Sequence, residues 1–182
     1  MPIPGVIASS ISGHLQTGNF FIISQQNVSA VSTVTFSSIP STYKSLQLRF
    51  RATESGNNYW YVKFNGDSGN NYANHVLYGN GSGANVGGWA TGSWPAVPLS
   101  LSGYPQSASY PSVGIVDIVD YASTAKYKTV KSLYGFDYNG APTNGQIELD
   151  SALWTSTSAI SSITFAPSAG TLTGAVSLYG VS

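Results

Sequence analysis

The chain reads as an all-β protein: a single-domain antiparallel β-sandwich of jelly-roll type with an extended N-terminal arm. Three observations predict this. Runs of alternating apolar and polar residues recur along its 182 residues. β-Branched and aromatic residues concentrate in those runs, and Gly- and Asn-rich turn signals separate them. Helical periodicity is nearly absent. A chain of this length suits one domain, and burying about two-thirds of its unfolded surface gives it a core without staples.

Residues 1–25 precede the first convincing strand. Pro2, Pro4, Gly5, Gly13 and Gly18 discourage a regular element, whereas Ile3, Val6, Ile7, Ile11 and Leu15 are costly to leave in water. Both properties together suit an arm that orders on a partner. The plainer alternative is an edge strand of its own sandwich.

The sandwich is expected over residues 26–182. Val31 to Phe36 is rich in β-branched residues. From Ser45 to Ala52 the pattern alternates, with Leu46, Leu48, Phe50 and Ala52 on one face and Gln47, Arg49 and Arg51 on the other. Tyr59 to Asn65 repeats this, with Trp60, Val62 and Phe64 inward. The turn residues Ser55-Gly56-Asn57-Asn58 between these two runs predict a hairpin. Arg49, Arg51 and Lys63 then share its outward face, either solvated or paired with a neighbour's carboxylates. Further strands are expected at His75 to Tyr78, Val113 to Tyr121, Lys128 to Tyr138, Gln146 to Trp154, Ile160 to Phe165 and Ala175 to Val181. Residues 79–111 are rich in Gly and Pro, contain Trp89 and Trp94, and lack periodicity. They read as one long loop, of a length usually reserved for binding or contact.

Composition narrows the function. Only 8% of residues are charged, seven basic against seven acidic, and 13% are aromatic; an average domain has roughly 25% charged residues. A nucleic-acid binder carries a basic surplus, and this chain has none. Zero net charge favours association and suits a surface covered by neighbours. There is no cysteine, which fits assembly in a reducing cytoplasm. No apolar run approaches the ~18 residues of a membrane helix. Met1-Pro2-Ile3-Pro4-Gly5 lacks a basic n-region, so no cleaved signal peptide is expected.

Candidate chemistry is sparse. The histidines are His14 and His75, and the nearest approach to a nucleophile elbow, Gly66-Asp67-Ser68-Gly69-Asn70, ends on Asn instead of Gly. Glu148 and Asp150 lie on one face of a strand, ~7 Å apart by strand rise. A glycosidase needs such a pair across a cleft, but a solvated or interface-paired strand face explains the spacing more simply. Asn65, Asp67, Gly69 and Asn71 alternate as in a calcium loop, but Val76 stands where the closing Glu belongs. Gly79-Asn-Gly-Ser-Gly83 has no following Lys or helix, so it does not suggest phosphate binding. No catalytic residue, metal ligand or cofactor is expected. Tyr59, Tyr61, Trp89, Trp94, Tyr104 and Tyr110 are expected outward or in the long loop, where aromatics stack on sugars or pack against proteins. Low charge favours the protein interface.

Three blocks carry a family resemblance. The first is Phe36-Ser-Ser-Ile-Pro-Ser-Thr-Tyr-Lys-Ser-Leu-Gln-Leu-Arg49, followed by Phe64-Asn-Gly-Asp-Ser-Gly-Asn-Asn-Tyr72 and His75. The second is Ile118-Val-Asp-Tyr121 with Lys126-Tyr-Lys-Thr129. The third is Leu153-Trp154, Ala159-Ile-Ser-Ser-Ile163 and Val176-Ser-Leu-Tyr-Gly-Val181. In this order they resemble a widespread group of tailed-bacteriophage virion structural proteins, over roughly residues 30–182. The resemblance implies a virion component, made in the host bacterial cytoplasm: a capsid decoration (cement) protein, a head fibre or a tail-fibre domain. The expected partners are the major capsid protein and the chain itself, for which a homotrimer is compatible. The candidate contact residues are Ile3, Val6, Ile7, Ile11, Leu15, Arg49, Arg51, Lys63, Trp89 and Trp94. The rival expectation is a fibre adhesin that binds host-surface carbohydrate through Trp89, Trp94 and the tyrosines.

Overall fold

The structure, a computed structural model, describes residues 19–56, 59–99, 110–137 and 145–182. Its strands are β1 (Phe20–Val31), β2 (Val34–Phe36), β3 (Ser45–Glu54), β4 (Trp60–Phe64), β5 (Tyr72–Gly79), β6 (Ala84–Trp94), β7 (Val97–Leu99), β8 (Ser112–Val119), β9 (Lys128–Asp137), β10 (Gly145–Trp154), β11 (Ile163–Pro167) and β12 (Leu172–Val181). They build an eight-stranded sheet, β1-β12-β3-β8-β9-β10-β5-β6, and a four-stranded sheet, β2-β11-β4-β7. Every pairing is antiparallel. Early strands pair with late ones: β1 with β12, β2 with β11, β5 with β10. Such nesting is a doubled ribbon rolled into two layers, the jelly-roll pattern.

The alternating runs fill the space between the sheets. Leu46, Leu48, Phe50 and Ala52 face inward from the large sheet; Trp60, Val62 and Phe64 meet them from the small one. Phe165 lies between, 4.8 Å from the Phe50 ring and 5.0 Å from that of Trp60.

Three expectations are corrected. β3 and β4 do not form a hairpin, because they belong to different sheets. Alternation identifies the inward face of each strand but not the layer it joins. Residues 79–111 are not one loop, since β6 and β7 lie within them. β6 is glycine-rich and β7 is a three-residue strand, so neither shows a readable period. The strand at the N-terminal side begins at Phe20, inside the expected arm of residues 1–25. It is an edge strand whose Ser, Gln and Asn residues dilute the β signal. Ile3, Val6, Ile7, Ile11 and Leu15 lie outside the described residues.

The three resemblance blocks meet in space and hold the connections in place. Asn65 and Gly66 take positive φ, 51° and 68°, which Asn and Gly tolerate best. Asn65 Nδ2 donates to the Ala159 carbonyl at 2.8 Å, and its Oδ1 accepts from the Ser161 and Ser162 amides. Trp154 Nε1 donates to Asp67 Oδ2 at 2.7 Å. Tyr121 Oη donates to the Pro40 carbonyl at 2.5 Å and accepts from the Tyr43 amide. Fully buried Lys128 donates to the carbonyls of Ser123 and Lys126 at 2.8 and 2.7 Å, with those of Ser156 and Thr157 further out. Gly180 must be glycine, because a Cβ there would overlap the Tyr43 ring.

Candidate functional site

The resemblance blocks thus maintain the fold, and the least explained surface lies elsewhere. On the outside of the large sheet, Ile115 lies opposite Leu133, Leu133 opposite Leu149, Leu149 opposite Leu77, and Leu77 opposite Val86. Five adjacent strands therefore contribute to one apolar row, ~19 Å long at normal strand spacing. These side chains are 41 to 82% exposed. Val113 and Ile147 widen the row on one side, flanking Gly135. On the other side the next row holds Asp117 opposite Lys131, then Ser151 and His75.

Period-two alternation puts these residues outward because their neighbours face the core. On β8 the inward residues Val116 and Ile118 are also apolar, so the strand is apolar on both faces. That is the composition of a strand covered on both sides. The run Val113-Gly-Ile-Val-Asp-Ile-Val119 carried this signal in the sequence, which reasoning from alternation alone passes over.

The inner side of β10 reverses the usual order. Glu148 and Asp150 are each 2% exposed, so the expectation of a solvated or interface-paired carboxylate face is wrong. The two do share a face, but that face is the interior. Tyr134 Oη donates to Glu148 Oε2 at 2.5 Å, and Gln146 Nε2 donates to the other oxygen. Asp150 accepts from Ser132 Oγ at 3.1 Å and Asn74 Nδ2 at 3.2 Å. Burial pushes the Glu148 carboxyl up to about 7, with Asp150 adding repulsion against the opposing hydrogen bonds. Burial raises Asp150 as well. Glu148 and Asp150 are thus enclosed, with donors from β5, β9 and β10 on their oxygens, while the buried Asn74 Oδ1 has no hydrogen-bond partner among the described residues.

Arg49, Arg51 and Lys63 do not share a surface. Arg49 and Arg51 are on the large sheet's outer face, and Lys63 is on that of the small sheet, because β3 and β4 lie in different layers. The Arg49 guanidinium lies 4.7 Å from the Phe20 ring centroid and 4.6 Å from that of Tyr179, and its Nε donates to Gln47 Oε1 at 2.6 Å. Lys63 Nζ donates to Ser68 Oγ at 3.1 Å. The small sheet's outer face is polar, with Thr35 and Thr164 hydroxyls 3.2 Å apart.

The calcium-like loop is an internal network. Asp67 accepts from Trp154, Asn71 and the Gly69 amide, so its lone pairs face N–H donors. Burial raises its pKa, but those hydrogen bonds and Lys63 outweigh it and hold the carboxyl below its ordinary value. Ser68 sits in this same turn, its hydroxyl donating to the Gly66 carbonyl, while His75 is exposed on the large sheet, so among the described residues no histidine is placed beside it. Residues 79–83 form the β5–β6 turn, closed by the Asn80 amide on the Gly83 carbonyl.

Trp89 and Trp94, both half-buried, come together. Their rings are 5.7 Å apart at 65°, and Tyr59 meets Trp94 edge-on at 5.2 Å. Tyr104 lies outside the described residues.

No family model and no curated protein matches the chain. Among solved structures it is similar to the galectin LEC-6 of Caenorhabditis elegans, at 12% identity and a TM-score of 0.38 over 90% of this chain and 96% of that one. A likeness that distant carries no functional argument. The fold stands on its own strand order: an all-β chain in two antiparallel sheets forming a sandwich of jelly-roll type.

Proposed function

We propose that the chain is a non-enzymatic virion coat protein of the capsid-decoration (cement) type. It works by docking a rigid sheet face against neighbouring subunits, the major capsid protein among them. The observation that carries this reading is the in-register apolar row Ile115, Leu133, Leu149, Leu77 and Val86, 41 to 82% exposed. Contiguous apolar surface of this kind marks an interaction site in a soluble fold. Zero net charge and 8% charged residues suit a chain with covered surfaces. The block resemblance to tailed-phage virion proteins supplies the setting. The buried Glu148 and Asp150 supply no cleft, which favours binding over hydrolysis.

The test is copy number and place on the particle. Mass spectrometry of purified virions that encode this chain should find it in amounts comparable to the major capsid protein, and cryo-electron microscopy should place it on the head. A few copies located at the tail would replace cement with a fibre component.

The Trp89–Trp94–Tyr59 cluster favours a second reading, a carbohydrate-binding adhesin, since half-exposed aromatics stack on sugar rings. Under that reading purified chain binds host-surface glycans, and Trp89→Ala abolishes binding.

A further inference from the structure

We infer that the apolar half of the large sheet's outer face, from β8 to β6, is a self-association surface occupied by the same face of a second copy of this chain. This deepens the docking reading above and rests on it, but it names the partner independently of any virion.

Three observations point to a second copy. The first is area. The side chains of Val113, Ile115, Val119, Leu133, Ile147, Leu149, Leu77 and Val86 are 41 to 82% exposed. Together they expose on the order of 700 Å², close to the ~800 Å² per partner of a standard interface and above the largest patch of a typical monomer. The second is shape. An in-register row across five strands is the regular side of a pleated sheet, and a second sheet packs on such a side ~10 Å away with its side chains interdigitated. This chain carries a matching side. A two-fold axis parallel to β10 lays the row on its own copy, apolar on apolar, and an isologous contact of that kind closes.

The third observation is charge. Next to the apolar row, Asp117 stands opposite Lys131 on the adjacent strand, so their charges cancel. Asp117 also accepts from Gln47 Nε2 at 2.7 Å. The row itself carries no charge and meets its own copy without repulsion; Arg49 and Arg51 border it on β3, opposite Ile115 and Val113. The more polar half of the sheet, where Arg49 stacks on Phe20 and Tyr179, stays outside the contact.

The experiment is analytical ultracentrifugation of the full chain at micromolar concentration, beside the double variant Leu133→Asp/Leu149→Asp. The wild type should sediment at twice the chain mass of 19.1 kDa, and the variant at the single mass with an unchanged far-UV spectrum. Should the double variant not fold, Val86→Asp on edge strand β6 tests the same contact. Because the chain has no cysteine, Leu149→Cys gives an independent reading: a bifunctional thiol reagent with a spacer of about 10 Å should yield a covalently linked pair. A monomeric wild type overturns the proposal. If that monomer still decorates capsids, the face belongs to the capsid. An oligomer that both Leu133→Asp/Leu149→Asp and Val86→Asp leave intact places the contact elsewhere and also overturns it. An oligomer that fails to bind any capsid leaves this inference standing and removes the cement reading.

Discussion

The two sheets treat water in opposite ways. The small sheet is conventional: Val34, Phe36, Trp60, Val62, Phe64, Ile163 and Phe165 point inward, while Thr35, Lys63 and Thr164 point out. From β8 to β5 the large sheet shows leucine, isoleucine and valine to solvent and keeps Ser132, Asn74, Glu148 and Asp150 inside. The small sheet's pattern is complete in a single chain. The large sheet's pattern is the one that the proposed self-association would complete, since apolar surface left in water forgoes about 25 cal/mol per Å² of burial.

The interior common to both sheets gives the largest expected effect. Phe50, 4% exposed and packed on Trp60 and Phe165, should lose roughly 3–5 kcal/mol of stability on Phe50→Ala. Chemical denaturation measures this, and a loss below about 1 kcal/mol would mean that the strand register, and with it the assignment of both faces, is shifted by one residue.

The next effect concerns the polar interior of the large sheet. Glu148 is raised to about 7 from its ordinary 4.5, so between those values the folded chain binds more protons than the unfolded one. Stability therefore falls as pH rises through that window, by about 3 kcal/mol in total for the one group. Melting curves at pH 5 and pH 8 should show the loss. Glu148→Gln, which keeps the shape and removes the charge, should flatten it. A stability that climbs from pH 5 to pH 8 would show that these carboxylates are not enclosed.

The smallest effect belongs to the small sheet's outer face. Lys63→Ser removes an exposed ammonium whose hydrogen-bonded partner is Ser68, and should change stability by less than about 0.5 kcal/mol. It should leave the sedimentation coefficient unchanged, in contrast to Leu133→Asp/Leu149→Asp on the other side. A Lys63→Ser chain that dissociates would reverse the contrast between the faces.

Much of the fold was legible because alternation is a local property. Leu46, Leu48, Phe50, Trp60, Val62 and Phe64 all point where a period of two puts them. The candidate site was less legible. Val113, Ile115, Leu133, Ile147 and Leu149 were visible as strand residues, but each is unremarkable until register aligns it with its neighbours. Trp89 and Trp94 were noticed as aromatics, yet their contact depends on β6 curving back beside β5, and glycine-rich β6 has no pattern to read.

By itself the sequence determined the class: an all-β chain whose alternating runs mark the inward face of strands such as β3 and β4. That follows from side-chain period and composition, which need no knowledge of neighbours. Only the tertiary structure decided that β3 and β4 lie in different sheets, that Lys63 is therefore on the opposite surface from Arg49, and that Glu148 and Asp150 point inward. Each depends on which strands pair. Pairing is set by the total burial of two layers closing on each other, a sum over residues far apart in the chain that no single strand carries.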